Sequence, residues 1–309
     1  MLVIIIALAL DIIFKDPPNL LHPTAWMGKM IYGIWGKRAP KNRFLAFMLG
    51  VLTTLLPALL FGMTAYIIVE FFSYARFPEI LSTIIKGFLL SLTISFSRLL
   101  QVGDIILSEL ETNDLSGARR SLSYHLVSRD TSRLNESEVC AATLESLSEN
   151  LTDGFTAPIC MYLIFGLPGA VIYRVVNTCD AMLGYRDPER EWVGKFPARL
   201  DDILNLIPAR ITGIIILLAG LIQVGLHRGL QVLHQDHRKT DSPNAGWTMS
   251  AIAGVLGVRL GKEGYYLINE NGVHPKIIHL IKGISVCKKS GYLFLILTLI
   301  LLTGFGYGL

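Results

Sequence analysis

Apolar residues in this chain gather into runs of about twenty, the length that crosses the hydrocarbon of a bilayer. A backbone crossing that layer must satisfy its own N–H and C=O groups, which restricts it to helices or a closed barrel. The clearest run is Phe44–Phe72, with Pro57 expected to bend it. Ile80–Leu100 follows, carrying Lys86 and Arg98, whose stems let the charged ends snorkel towards headgroups. Ile211–Leu226 is a further span, and Gly291–Leu309 is a closing hydrophobic helix. Phe155–Tyr173 is apolar but broken by Pro158 and by Gly166-Leu167-Pro168-Gly169, the pattern of a re-entrant segment or a helix pair. Residues 1–14 are apolar apart from Asp11, with neither a basic n-region nor a cleavage site, so a retained, partly embedded helix is expected rather than a signal peptide.

Composition agrees. Hydrophobic residues make up 52% and charged residues 17% of 309 residues, which is too apolar for two soluble domains. The expected fold is all-α: one polytopic integral membrane domain over 1–309, with roughly four to six membrane-embedded helices. Its polar inserts, 101–154, 174–202 and 227–290, are amphipathic helical loops that carry the chemistry. The net charge of +4 is modest, and Lys and Arg cluster beside apolar spans, among them Lys37, Arg38, Lys41 and Arg43. That pattern suits the cytoplasmic face of the cell membrane and gives no reason to invoke nucleic acid. Lys/Arg bias puts the 15–43 and 227–290 loops in the cytoplasm. If every apolar run spans, 174–202 falls outside; if 155–173 is re-entrant, the last loop does. Cys140, Cys160, Cys179 and Cys287 have no paired or metal-type spacing and read as reduced.

The longest polar stretch with helical periodicity is Arg129–Gly154. Asn135 followed by Glu138 is a capping box, so a helix starts near Asn135. Cys140, Leu144, Leu147 and Leu151 then form one apolar stripe, with Glu138, Glu145 and Glu149 opposite it. Glu145 and Glu149 repel by roughly 0.2–0.5 kcal/mol unless a cation stands between them. Alone, the stretch reads as an amphipathic helix with a solvated acidic face.

Two further acidic motifs follow. Asn177 and Asp180 share a face if that segment is helical, and Asp202 stands between Arg199 and Asn205 at helical spacing. Carboxylates with an amide oxygen are hard ligands suited to Mg²⁺, although a helix cap and a surface salt bridge account for each motif singly. Acidic groups beside membrane spans are costly, and that favours function. Ser242-Pro243-Asn244-Ala245-Gly246-Trp247 reads as a turn opening a helix, and His22-Pro23 as a loop. Gly257-Val258-Arg259-Leu260-Gly261-Lys262 fails as a phosphate loop on spacing and lacks the following Ser or Thr.

Taken in order, these pieces resemble the adenosylcobinamide-phosphate synthase family, the integral membrane proteins of cobalamin biosynthesis. The resemblance covers roughly residues 8–262. It rests on Asp16-Pro17 with His22-Pro23 and Gly28, on Arg129-Asp130-Thr131, and on Glu145 with Glu149-Asn150 and Asp153-Gly154. Asn177-Thr178-x-Asp180 with Gly184-Tyr185 continues it. Ala198 to Asp202 with Asn205, Pro208-Ala209-Arg210, and Ser242 to Trp247 complete it. Cys179 stands where an apolar residue is expected, and Leu147-Ser148 where a β-branched residue and Ala are commoner.

The resemblance implies ATP-dependent amide ligation of adenosylcobyric acid to (R)-1-amino-2-propanol or its O-phosphate. Glu145, Glu149 and Asp202 are then the expected catalytic groups. Arg129, Asn150, Asn177, Arg199, Arg210, Asn244, Trp247 and His22 are expected to bind substrate. Glu149, Asp153, Asp180, Asp201 and Asp202 are expected to hold Mg²⁺, with ATP as co-substrate. Membrane lipid and other enzymes of nucleotide-loop assembly are the expected partners. Two other classes fit the residues: a Mg²⁺-dependent membrane prenyl or phospho-alcohol transferase, and a corrinoid-binding scaffold or transporter. Prenyl transfer, or transport of unmodified corrinoid across sealed vesicles, distinguishes them from the ligase.

Overall fold

A computed structural model describes residues 1–14, 22–36, 39–75, 77–221, 226–262 and 264–304. Asp16-Pro17, Lys37 and Arg38 lie outside the described residues. In chain order the helices are α1 (Leu2–Phe14), α2 (Pro23–Trp35), α3 (Arg43–Tyr74), α4 (Glu79–Ser91), α5 (Phe96–Glu111), α6 (Leu115–His125) and α7 (Glu136–Leu151). A π-helical turn, Thr152–Thr156, leads into α8 (Ala157–Leu183), followed by α9 (Glu191–Leu204), α10 (Leu206–Ala219), α11 (Leu226–Asp236) and α12 (Ala245–Leu256). A two-stranded antiparallel hairpin, β1 (Leu260–Lys262) and β2 (Tyr266–Ile268), precedes α13 (Ile277–Gly304). Among the described residues the chain is all-α apart from that hairpin, and four helical stretches there are long and apolar enough to cross a membrane: Arg43–Tyr74, Glu79–Glu111, Glu136–Leu183 and Ile277–Gly304. There are five if the pair α9–α10, bent by 52°, counts as one.

The chain divides into two compact units. The first comprises residues 1–95 and 157–205, and α3 organises it. One face of α3 carries Gly50, Thr53, Thr54, Pro57, Ala58, Gly62 and Ala65, all buried, while Leu52, Leu59, Leu60, Ile67 and Phe71 point outward. Small residues inside and large apolar ones outside is the membrane arrangement, because lipid tails offer no hydrophobic drive and close backbone approach supplies the attraction. A Cβ on Gly50 would run into the Val193 carbonyl of α9, so glycine is what lets these helices meet. Thr53 and Thr54 return their hydroxyls to the carbonyls of Leu49 and Gly50, 2.7 and 2.8 Å away, and add no unsatisfied polar group to the contact. Pro57 sits inside α3 without interrupting it. In α8 the interruption falls at Gly166 (φ +66°, ψ −164°), where two helical pieces meet at a kink, whereas Pro158 lies in the first turn and is tolerated there.

The second unit comprises residues 96–156 and 206–306. The capping box forms as expected: the Asn135 side chain accepts from the Glu138 N–H at 3.0 Å, and Glu138 accepts from the Asn135 N–H at 2.7 Å. Cys140, Leu144, Leu147 and Leu151 are buried, with the Leu144 side chain against Gly283 of α13. The solvated acidic face is where expectation and structure part. Every residue from Val139 to Ser148 is buried, Glu145 included, because α12, α13 and β1 pack around α7. The Arg98 guanidinium donates to Gln101 Oε1 at 3.0 Å and faces His125 Nδ1 at 3.5 Å. The closing helix begins at Ile277, earlier than Gly291, since apolar residues keep helical spacing through the Lys282–Lys289 stretch. The four cysteines are free thiols.

The close approach at Gly50 gives a direct test. Gly50→Ala should lower the detergent melting temperature, at a cost of about 1–3 kcal/mol for overpacking. Gly33→Ala, where a Cβ would meet nothing within 4 Å, should leave the melting temperature unchanged or raise it.

Candidate functional site

Each unit carries its own buried polar cluster. In the first, α8 and α9 bring Asn177, Asp201 and Asn205 together. Asp201 is 8% exposed, and its Oδ1 accepts from Asn177 Nδ2 at 3.3 Å while its Oδ2 accepts from Asn205 Nδ2 at 2.9 Å. Asn205 in turn accepts from the Tyr173 hydroxyl at 3.0 Å, and Arg174 reaches Asn177 Oδ1 at 3.5 Å. Both amides therefore serve Asp201, not the neighbouring Asp202. Asp202 is half-buried, with Arg199 3.8 Å off in an i,i+3 pair whose arginine is 74% exposed. Asp180 is one turn beyond Asn177, closed over by Gly184, where a Cβ would strike its carboxylate. His22 caps α2, its Nδ1 accepting from the Thr24 N–H at 3.2 Å.

In the second unit the polar cluster centres on Glu145, a buried acid 5% exposed. Arg129 Nη2 lies 3.9 Å from its Oε2, the cation that the Glu145–Glu149 spacing calls for. The Tyr266 phenol of β2 stands beside it, and Oε1 is buried without a hydrogen bond. Burial, then the charges of Glu145 and Glu149, push the Tyr266 phenol above its ordinary range, so it remains an O–H donor at any physiological pH. Asn150 returns its amide to the Ser146 carbonyl at 2.8 Å. Asp153 occupies the π-helical turn, a local distortion that is over-represented at functional sites.

Three of the expected binding residues converge in this same unit. Arg210 Nη1 donates to Asn244 Oδ1 at 2.8 Å and to the Leu206 carbonyl at 2.7 Å, and its guanidinium lies 5.0 Å from the Trp247 ring centre. Asn244 is held by the turn expected there, its N–H donating to Ser242 Oγ at 3.2 Å before α12 begins. A Cβ on Gly213 would approach the Trp247 carbonyl to 3.1 Å, so α10 and α12 meet closely where this triad forms. Asp130 and Thr131 border an open cavity of about 960 Å³ that also exposes Arg119, Arg120 and His125.

Tyr266, Tyr173 and Arg174 join these clusters without having been singled out by sequence. Tyr266 is 121 residues from Glu145, and only the Gly264 turn between two short apolar strands hinted at a hairpin there. Among the described residues, no three His, Cys, Asp or Glu side chains gather as a metal cage.

Asn205 and Arg199 should respond in opposite ways to truncation. Asn205→Ala leaves the buried Asp201 and Tyr173 each one partner short and should cost about 1–3 kcal/mol in a denaturation measurement. Arg199→Ala removes only an ion pair whose arginine is solvent-exposed and should stay within about 0.5 kcal/mol of the parent.

A profile of the CobD/Cbib protein family matches residues 4–284. The chain is 36% identical over 289 residues to a probable cobalamin biosynthesis protein CobD of Methanocaldococcus jannaschii, covering 92% of this chain and 93% of the relative. It is 42% identical over 269 residues to the protein of the same printed name in Methanothermobacter thermautotrophicus, covering 87% and 86%. A cobalamin biosynthesis protein CobD of Dehalococcoides mccartyi is 38% identical over 272 residues, covering 88% and 87%. No solved structure matches. With that coverage and identity, on a chain whose acidic motifs lie in buried polar clusters on membrane-type helices, the protein belongs to the CobD/Cbib family.

Proposed function

We propose that this protein acts in cobalamin biosynthesis as an ATP-dependent ligase. It joins a side-chain carboxylate of adenosylcobyric acid to (R)-1-amino-2-propanol or its O-phosphate. The observation that carries the chemistry is Glu145: a carboxylate taken out of water, with Arg129 on one oxygen and no hydrogen bond on the other. Burying a carboxylate with one oxygen unmatched is costly, and such arrangements are kept where the group has a proton to handle.

The reaction divides into two steps. The substrate carboxylate attacks the γ-phosphorus of ATP, forming an acyl phosphate and releasing ADP. The amine then attacks the acyl carbon, phosphate leaves, and the nitrogen gives up a proton to make the amide. Glu145 Oε1 is the acceptor for that proton, with Tyr266 and Arg129 holding the carboxylate in place. Arg210, steadied by Asn244 and lying against Trp247, binds an anionic group of a substrate. When bound with the nucleotide, Mg²⁺ offsets charge on the transferring phosphoryl oxygens. Mg²⁺ shared with phosphates needs only one or two protein carboxylates, so the lack of a three-ligand cage among the described residues is compatible with it. Half-buried Asp180 and Asp202 of the first unit, or Glu149 and Asp153 of the second, have suitable oxygens. Asp201, with each oxygen accepting from an amide, is better fitted to hold Asn177 and Asn205.

The reading is tested with purified protein in detergent, by following ADP and amide together. ADP should form only when corrinoid acid and amine are both present. Amide formation without ATP, or prenyl transfer instead, would overturn it. Glu145→Gln should slow coupling by about 10²-fold or more while leaving the melting temperature near the parent value. Unchanged coupling in that variant would remove Glu145 from the proton step.

A further inference from the structure

The hairpin of the second unit builds a cavity that shares Tyr266 with the proposed ligation, but whose cationic wall that reaction does not use. Its volume is about 640 Å³, within the range of small-molecule sites. Arg259, Lys262 and His274 line it, together with the rings of Tyr265 and Tyr266. Among the described residues, the one acid on its wall is Glu138, whose Oε2 is already engaged by the Asn135 N–H at the start of α7. Two permanent cations and an imidazole therefore face one carboxylate that is spent on a helix cap. Among the described residues, no carboxylate lies within ion-pair distance of Arg259, Lys262 or His274; Lys262 rests on the Tyr265 ring, 4.2 Å from its centre.

The frame beneath these side chains is cross-braced by hydrogen bonds. Asn269, in the left-handed region at φ +49°, donates its N–H to Asp236 Oδ2 at 2.6 Å and its amide to the Val258 carbonyl at 2.8 Å. Lys239 fixes Asp236 from the other side at 2.8 Å. Gly272 lies so close to the Val258–Arg259 peptide that a Cβ would come within 2.6 Å of the Arg259 nitrogen. The Arg259 N–H donates to the Val273 carbonyl at 2.9 Å, tying the segment that carries Arg259 to the one that carries His274. Gly264, at φ +75°, makes the turn that places Lys262 and Tyr266 opposite each other in the hairpin. A cationic pocket braced in this way is preorganised, which is what an anion site requires.

We propose that this cavity binds a phosphoryl-bearing anion. Arg259 offers the planar, bidentate fork that matches a phosphate, Lys262 a point charge, and the tyrosine rings an apolar wall for whatever carries the phosphate. In a membrane protein that chemistry comes either from a soluble phosphate compound or from an anionic lipid headgroup. The Gly257–Lys262 segment thus contributes cations from a hairpin, not the backbone cradle of a phosphate loop.

The test uses the full chain in detergent, titrated calorimetrically with inorganic tripolyphosphate, alongside native mass spectrometry of the same protein from nanodiscs containing phosphatidic acid. A soluble ligand predicts saturable tripolyphosphate binding, at least tenfold weaker in Arg259→Gln/Lys262→Gln and unchanged in Lys195→Gln. A lipid ligand predicts retained phosphatidic acid that the double variant loses and tripolyphosphate does not displace. Lys262→Gln alone supplies the comparison if the double variant melts early. Binding of both probes at parent strength in a folded pocket variant would overturn the proposal. So would citrate binding as tightly as tripolyphosphate, or the absence of saturable binding of either probe.

Discussion

Removing a carboxylate from water costs several kcal/mol unless charge and hydrogen bonds replace the lost solvent, and both units of this protein bury carboxylates, among them Asp201 in the first and Glu145 in the second. Asp201 is satisfied by neutral donors, two amides that are themselves held by Tyr173 and Arg174. Glu145 is satisfied unevenly, by a distant guanidinium, a neighbouring phenol and the nearby Gly261 N–H, with Oε1 left without a hydrogen bond. The contrast separates their roles. On the proposed reading, the fully bonded carboxylate holds its neighbours in place, whereas the half-bonded one has a position open for a substrate proton.

The membrane-type framework makes these burials feasible. Glycine and threonine on α3 let helices approach closely enough to exclude water, and the outward leucines and phenylalanines need no partner in lipid. In the second unit, Gly254 comes close to Gly229 between α11 and α12, and Gly283 meets Leu144 between α13 and α7. α7 is therefore enclosed on the sides that a soluble amphipathic helix would leave wet.

The sequence made local features legible and long-range ones not. Asn135 and Glu138 are three residues apart, so their reciprocal cap could be read directly, as could the Cys140–Leu151 stripe and the turn before Trp247. Apolar run length similarly located α3 to within two residues at either end. The choice between Asp201 and Asp202 could not be read, because adjacent residues point about 100° apart on a helix and only the position of α8 decides which meets Asn177. Nor could the burial of Glu145, which depends on a strand 121 residues away in sequence. Periodicity reports that a face is polar; it does not say whether that face meets water or another polar group.

The central claim is that ATP activates the corrinoid carboxylate by phosphorylating it. Corrinoid acid labelled with ¹⁸O in both carboxylate oxygens tests this in a single turnover. The account predicts one ¹⁸O atom in the released inorganic phosphate for each amide formed. Unlabelled phosphate, or label recovered in AMP, would contradict it.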